Sequence, residues 1–152
     1  MSQIDDKLKE LGIVLPEASA PVASYVPVTR SGNLVYVSGQ ISQGPDGLIA
    51  GKLGGTLDTA AGQRAAEICA INILSHVANA VALDAIRQVL KLTVLVASTP
   101  DFTEQHLVAN GASDLFIKLL GEPGKHARAA FGVAALPRGA AVEIDAVIEL
   151  KA

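Results

Sequence analysis

The sequence predicts an α+β fold in which two main helices pack on one face of an antiparallel-rich mixed sheet. The order of the patterned segments indicates this class: short strands are followed by a long helix, a strand, a second helix and two final strands. Turn residues separate the first strands and also the last two, which favours antiparallel neighbours. Of the 152 residues, 50% are hydrophobic but only 3% are aromatic. We therefore expect an aliphatic, alanine-rich core in a single domain over residues 1–152.

The first part of the chain carries a short helix and a hairpin. Residues 2–11 have apolar side chains at helical spacing, and residues 1–19 together form an N-terminal helix and lead-in segment. Residues 24–29 and 34–38 are β-type runs, and the Ser31-Gly32-Asn33 sequence between them suits a turn. A weaker strand follows the Gly44-Pro45-Asp46-Gly47 turn.

The rest of the chain alternates long helices with strands. Apolar residues recur at helical spacing over residues 59–81, and β-branched residues make residues 85–98 a buried strand after a short helical turn. Residues 102–120 form the second main helix, because their apolar side chains fall on one face. Two final strands, residues 127–135 and 141–150, flank a turn at residues 136–139.

Composition restricts the classes of function. The net charge is −3 and the isoelectric point is about 5.5, which disfavours nucleic-acid binding. The single cysteine, Cys69, excludes an internal disulfide, and the three histidines have no metal-ligand spacing, so we predict no metal. The charged N-terminus lacks a hydrophobic signal segment, which predicts a cytoplasmic protein with no membrane association. The large apolar fraction predicts an oligomer.

Arg128 is the first candidate for chemistry. It lies in a strand of small apolar residues, where a permanent cation is costly unless an anion meets it. Its planar guanidinium could clamp a carboxylate through two parallel hydrogen bonds. The alternative is an arginine at a strand end that reaches solvent or a structural carboxylate.

Glu143 is the second candidate, and it interrupts an alternating apolar pattern in the last strand. It lies on the solvated face of an edge strand or in a binding cleft. If residues 136–139 form a tight hairpin, Glu143 lies opposite residue 132 or 133. It is then roughly 13 to 17 Å from Arg128 at about 3.3 Å per residue, which is too far for one small ligand to contact both. The two residues therefore act separately, or their partners come from different subunits.

Three residues near the first strands could line a binding site. Tyr25 could stack on a planar ligand and offer its hydroxyl, or it is a half-buried strand aromatic. Ser38 and Gly39 could present a backbone N–H without steric cover, or Gly39 marks a bulge. His126 could share the face of Arg128, but no Ser or Cys nucleophile and no oriented Asp is apparent beside it, so we interpret it as an ordinary loop histidine.

Several motifs occur together between about residue 20 and the C-terminus. They are Tyr25, Ser38-Gly39-Gln40-Ile41, Lys91-Leu92-Thr93-Val94-Leu95-Val96 with Asp101-Phe102, Arg128, Leu136-Pro137 and Val142-Glu143-Ile144. As a set they resemble the YjgF/Rid family of reactive intermediate deaminases, which is also labelled endoribonuclease L-PSP. The resemblance implies a chorismate-mutase-like fold, a homotrimer, and clefts between neighbouring subunits where 2-imino and enamine acids are hydrolysed to 2-keto acids and ammonia without a cofactor.

The same resemblance implies roles for the candidate residues. Arg128 would hold the carboxylate of a small metabolite, Ser38 and the Gly39 N–H would line the cleft, Tyr25 would close it from the neighbour, and Glu143 would position water or shuttle a proton.

The sequence departs from the family pattern at two positions, which indicates a divergent branch. Pro100 stands where that branch usually has an asparagine, and Ala130 stands where it usually has a cysteine. Two alternatives therefore stay open: a binding or regulatory protein for small carboxylates without turnover, and an endoribonuclease, which the acidic balance and scarce aromatics disfavour.

Overall fold

The computed structural model describes residues 2–18, 20 and 23–152 and confirms the α+β class. Met1 and Ser19 of the predicted N-terminal segment lie outside the described residues. The helices are α1 (Gln3–Glu10), α2 (Thr59–Ala80) and α3 (Gln105–Leu120), and the strands are β1 (Val28–Ser31), β2 (Leu34–Ile41), β3 (Gln43–Gly44), β4 (Gly47–Leu48), β5 (Ile86–Ala97), β6 (Ala127–Val133) and β7 (Val142–Leu150).

The main sheet has five strands in the order β1-β2-β7-β5-β6. The β1–β2, β2–β7 and β7–β5 pairs are antiparallel, whereas β5 and β6 are parallel. The short strands β3 and β4 form a separate hairpin. The sheet is therefore mixed and mostly antiparallel, as the sequence predicts.

One face of the sheet carries the core. Alternate residues of β7, among them Ile144 and Ile148, are fully buried in one cluster with Leu92 of β5 and with Ile73 and Phe116 of the two main helices. The intervening residues of β7 are more exposed. Within the described residues, no helix is long and apolar enough to cross a membrane.

The tight hairpin that residues 136–139 could form between the last two strands is not present. Strand β6 pairs with β5, and β7 lies between β2 and β5, so β6 and β7 are not neighbours. The connection crosses the end of β5, where the Ala97 N–H donates to the Ala141 carbonyl. The physical reason is burial: β7 alternates between core and sheet face along its whole length and suits the centre, whereas the partly exposed β6 suits an edge.

Two predicted element boundaries are also wrong. Strand β1 begins at Val28, so Tyr25 precedes the strand, in a bend where its N–H donates to the Ala23 carbonyl. Pro27 lacks a backbone N–H, and this explains why the ladder does not extend toward Tyr25. Helix α3 begins at Gln105 rather than at residue 102, because Phe102 belongs to a turn closed by its N–H on the Thr99 carbonyl.

Helices α2 and α3 pack with their backbones in close approach. A Cβ atom on Gly111 of α3 would lie only 2.0 Å from the Gln63 carbonyl oxygen of α2, so no other residue fits there without a shift of the helices. The Gln63 side chain also donates to the Leu107 carbonyl. This contact fixes α3 over the sheet and thereby fixes the polar side chains that α3 presents to β6.

Candidate functional site

A cavity of about 510 Å³ lies where the ends of β2 and β7 meet α2 and the lead-in segment. Three predicted site residues line it: Gly39 and Glu143 on the sheet, and Tyr25 before β1. Three further lining residues were not selected from the sequence: Gln43, His76 and Arg138. The structure thus brings Tyr25, Gly39 and Glu143 together.

Gly39 enters this cavity because β2 is irregular. The register with β7 shifts between Val37 and Gln40, so Ser38 and Gly39 lie in a bulge of the ladder. Bulges redirect the backbone and often occur beside functional sites. Ser38 uses both its polar groups locally: its N–H donates to the Pro27 carbonyl, and its hydroxyl donates to the Val26 carbonyl over 2.7 Å. Ser38 therefore holds the segment that follows Tyr25 and is not among the residues that line the cavity.

Glu143 is a carboxylic acid in a partly dry position. It projects from β7 on the face away from the helices, in register with Ile41 of β2 and Leu95 of β5. Burial raises its pKa above the ordinary value, and the nearby charge of Asp145 raises it further. A carboxyl group with a raised pKa is better suited than an ordinary one to hold and return a proton of a bound ligand.

Arg128 points to the other face of the sheet. Its Nη1 donates to Asn110 Oδ1 over 2.9 Å and to Ser113 Oγ over 3.1 Å, and its Nη2 donates to the His106 carbonyl over 3.1 Å. All three acceptors are neutral groups of α3. Among the described residues, no carboxylate forms an ion pair with Arg128.

The hydrogen bonds of Arg128 continue to His126. His126 Nδ1 lies 2.7 Å from the Gly124 carbonyl, which can only accept, so Nδ1 carries the proton in the neutral ring. His126 Nε2 then accepts from the Ser113 hydroxyl over 2.8 Å. Burial lowers the pKa of His126, and the charge of Arg128 lowers it further against the opposing effect of the Gly124 contact. The result is a directed chain from Arg128 through Ser113 and His126 to Gly124.

Within one chain, Arg128 and Glu143 do not meet. Arg128 is in register with Leu92, and Leu92 with Ala146, whereas Glu143 is in register with Leu95. The offset is two strand spacings and three residues, roughly 14 Å between the backbones. Their side chains also lie on opposite faces of the sheet, so the separation expected from the sequence holds for a different geometric reason.

Sequence reasoning missed several polar residues around both places. Asn110 and Ser113 are three residues apart and lie on one side of α3, and Ser113 is buried on a helix face whose other buried residues are apolar. That small polar residue on an apolar face was a usable signal. His76 and Gln43 gave no signal, because only the fold places them beside Glu143. No group of three potential metal ligands occurs among the described residues.

The α+β architecture and the two sets of polar side chains define a small protein with the chorismate-mutase-like fold of the YjgF/Rid proteins. Residues 16–150 match the family model described as Endoribonuclease L-PSP. The chain belongs to this family.

Two sequence relatives illustrate the range of the family. "Protein TCP17" of Trypanosoma cruzi is 49% identical over 146 residues, which cover 94% of this chain and 91% of that protein. The 2-iminobutanoate/2-iminopropanoate deaminase of Mus musculus is 34% identical over 134 residues, which cover 87% of this chain and 83% of the enzyme.

Solved structures give the same result for the fold. The protein Atu1372 of Agrobacterium tumefaciens, whose function is described as unknown, superposes with a TM-score of 0.90 at 53% identity, with 97% of this chain and 94% of that chain covered. RidA of Psychrobacter superposes with a TM-score of 0.61 at 29% identity, with 88% and 94% covered. The chain is thus more similar in shape to Atu1372 than to that RidA protein.

Proposed function

We propose that this protein hydrolyses reactive 2-imino acids to 2-keto acids and ammonia, in clefts between the subunits of a cytoplasmic homotrimer of single-domain chains. One observation carries the proposal: the guanidinium of Arg128 is held by three neutral acceptors and has no carboxylate partner in the described part of the chain. A cation oriented in this way is suited to an anionic ligand. The deaminase named among the relatives supports the same chemistry.

The free hydrogen-bond donors of Arg128 match a carboxylate. A guanidinium has five N–H groups, of which Nη1 uses two and Nη2 uses one on α3. Nε and the second Nη2 hydrogen have no acceptor among the described residues. Donors on Nε and Nη2 lie side by side on one edge of the guanidinium, so they can hold two oxygens of one carboxylate.

Glu143 supplies the second requirement, which is a group that handles protons. Water attacks the carbon of the protonated imine while the Glu143 carboxylate accepts a proton from it, and a tetrahedral amino alcohol forms. The protonated Glu143 returns this proton to nitrogen. The Glu143 carboxylate then accepts the hydroxyl proton as the carbon–nitrogen bond breaks, so that ammonia leaves and the carbonyl of the 2-keto acid forms. Proximity and one positioned acid–base group supply the acceleration. In this mechanism Tyr25 covers the ligand, and the Gly39 backbone lies beside the Glu143 carboxyl group.

A cleft shared by two subunits reconciles the positions of Arg128 and Glu143. The two residues are on opposite faces of one sheet, so a ligand that contacts both must take them from different chains. Phe131 and Tyr36 support an assembly, since they are 47% and 44% exposed and are in register with residues on the sheet face that the helices leave uncovered. Such apolar side chains favour burial between subunits.

A non-catalytic role is the second candidate, and a specific observation favours it. Pro100 and Ala130 offer no side-chain hydrogen bond at positions where the resemblance leads us to expect polar groups. A cleft with Arg128 but fewer polar groups could bind 2-keto acids without turnover.

Ammonia release from freshly generated 2-iminopropanoate tests the proposal. We expect the protein to raise the rate above the spontaneous rate, and we expect Arg128→Ala to lose most of this increase. Arg87→Ala is the matched control, because Arg87 lies on β5 in an ion pair with Glu149 and takes no part in the site. Saturable binding of pyruvate without any rate increase selects the non-catalytic role, and full activity of Arg128→Ala overturns the proposed clamp.

A further inference from the structure

Two of the side chains that line the cavity with Glu143 each carry a buried polar atom without a hydrogen-bond partner. The atoms are Nδ1 of His76, on α2, and Oε1 of Gln43, at the start of β3, and neither has a hydrogen-bond partner within the described part of the chain. The His76 side chain is only 6% exposed. Buried polar groups in folded proteins are almost always paired, so two exceptions in the same cavity indicate that a group from outside the chain pairs with them.

The cavity wall around these atoms is fixed by other hydrogen bonds. Asn72 Nδ2, one turn before His76 on α2, donates to the Ile41 carbonyl over 3.2 Å and to the Gln43 carbonyl over 2.9 Å. The Ser75 hydroxyl donates to the Pro16 carbonyl and so attaches the lead-in segment over the same cavity. Gln43 and His76 therefore belong to walls of defined position, and their unpaired atoms are not a consequence of mobile surface side chains.

The chemistry of the two side chains selects a neutral ligand group. Burial lowers the pKa of His76 and so favours its neutral ring, which has one donor and one acceptor nitrogen. Gln43 is neutral and also offers both a donor and an acceptor. The charged residues that line the same cavity are of both signs, since Arg138 is present beside the carboxylates of Glu17 and Glu143, and the acidic residues outnumber the basic one. A carboxamide fits best, because it can donate to one partner and accept from the other in either orientation.

We propose that His76 and Gln43 form a side-chain subsite that selects substrates whose side chain ends in a carboxamide. This inference rests on the proposed function and names the substrate class of that site. An aliphatic side chain would leave both polar atoms unpaired, and a carboxylate side chain has no hydrogen-bond donor for Oε1 of Gln43.

Three 2-oxo acids of nearly equal size test the subsite by direct binding. 2-Oxosuccinamate carries the carboxamide, 2-oxosuccinate carries a carboxylate, and 4-methyl-2-oxopentanoate carries an isopropyl group. Calorimetric titration of the assembled protein should give the tightest binding for the carboxamide, by about tenfold for each hydrogen bond that the others cannot form.

Substitutions separate the subsite from a general effect on the cavity. His76→Phe and Gln43→Leu should each lower affinity for the carboxamide about tenfold and change affinity for the isopropyl ligand less than about threefold. His76→Asn should restore the carboxamide preference, because its amide can occupy the position of Nδ1. Thermal denaturation and molar mass establish that each variant is folded. Gln43→Leu, in a short hairpin, provides the test if His76→Phe does not fold.

The outcomes distinguish this inference from the proposed function. Equal affinity for the three ligands, no binding of 2-oxosuccinamate, or a preference that both substitutions leave intact overturns the subsite; equal affinity would mean that water satisfies the two polar atoms. A carboxamide preference without hydrolysis of any 2-imino acid supports the subsite and contradicts the deaminase. Hydrolysis of 2-imino acids without any carboxamide preference supports the deaminase and contradicts the subsite.

Discussion

The carboxyl group of Glu143 occupies the space that a side chain on Gly39 would fill. A Cβ atom on Gly39 would lie 2.9 Å from Glu143 Oε2, 3.0 Å from its carboxyl carbon and 3.2 Å from its Cγ. Only glycine at position 39 lets the carboxyl group stay where it is. The bulge in β2 therefore bears directly on the position of the acid that we propose for the reaction.

Gly39→Ala tests this dependence. Because the obstructed atoms are the far end of a flexible side chain, we expect the protein to fold, with less than about 1 kcal/mol lost from the free energy of unfolding. The displaced carboxyl group should lower kcat about tenfold or more. In a Glu143→Gln background the same substitution should cause almost no further loss, since the two changes act through one group. Additive losses in kcat would show that Gly39 acts independently of Glu143.

The raised pKa of Glu143 predicts a pH dependence of both rate and stability. The carboxylate form is the base, so kcat/KM should rise with pH through the raised pKa, and Glu143→Gln should remove this rise. For stability, the folded state favours the protonated form. The contribution of Glu143 to the free energy of unfolding is therefore greatest below its unfolded pKa of about 4.3 and is lost as pH rises through the folded value.

Melting temperatures measure the stability effect. The melting temperature of Glu143→Gln, relative to that of the unsubstituted protein, should be higher at pH 7 than at pH 4. Asp145→Asn is the control that removes the neighbouring charge and leaves Glu143 in place, and it should shift the rate profile to lower pH. A stability difference that is the same at both pH values would contradict the expected direction of this effect.

The chain of hydrogen bonds from Arg128 to Gly124 predicts a second pH effect, at lower pH. The lowered pKa of His126 means that its neutral form contributes stability above about pH 6.5, and this contribution is lost as pH falls through the folded value. Protonated His126 can no longer accept from Ser113, and its charge then lies near Arg128. Affinity for a 2-oxo acid should fall over the same range of pH.

His126→Gln provides the matched variant, because its amide oxygen can accept from Ser113 but does not titrate. Binding to this variant should be nearly independent of pH over that range, whereas Ser113→Ala should bind more weakly at every pH. The charged residues that neighbour this chain of hydrogen bonds in sequence are Glu122, Lys125 and Asp114, and the first two form an ion pair with each other. An unchanged pH profile in His126→Gln would assign the effect to one of them.

Mixed subunits test whether the site is shared. Arg128→Ala and Glu143→Gln proteins should each have low activity alone. After unfolding and joint refolding at equal amounts, roughly a quarter of the clefts should combine an intact Arg128 from one subunit with an intact Glu143 from its neighbour. We expect that fraction of the activity to return. No recovery, in a preparation that has the mass of a trimer, would place the two residues in separate functions.

The sequence predicted the positions of the helices but did not predict the pairing of all strands. Apolar spacing predicted a helix over residues 59–81, and α2 covers Thr59–Ala80. Alternation in β7 predicted that Glu143 lies opposite the core face, and this is confirmed. Alternation specifies a face but not a neighbour, so it could not show that β5 separates β6 from β7.

The candidate site was also only partly predictable, because local patterns specify some of its residues and tertiary contacts specify the others. Glu143 follows from a local pattern, and Gly39 follows from its position after an apolar strand. The partners of Arg128 come from α3, and their approach depends on the close packing of Gly111 against α2, which is a tertiary contact with no local sequence period. Tyr25 was assigned to a strand on β-propensity, which Pro27 overrides.

The central place of β7 has a consequence for biosynthesis. Strand β7 is the last strand of this sheet in chain order, yet it is hydrogen-bonded to both β2 and β5 and joins the two halves of the sheet. A nascent chain that ends before residue 142 can form the β1–β2 hairpin and the long helices, but it leaves two sheet edges and much of the core face open. Such exposed edges attract chaperones or other nascent chains. The sheet can therefore be completed only once β7 has been made, and premature termination shortly before β7 should yield chains that aggregate or are degraded.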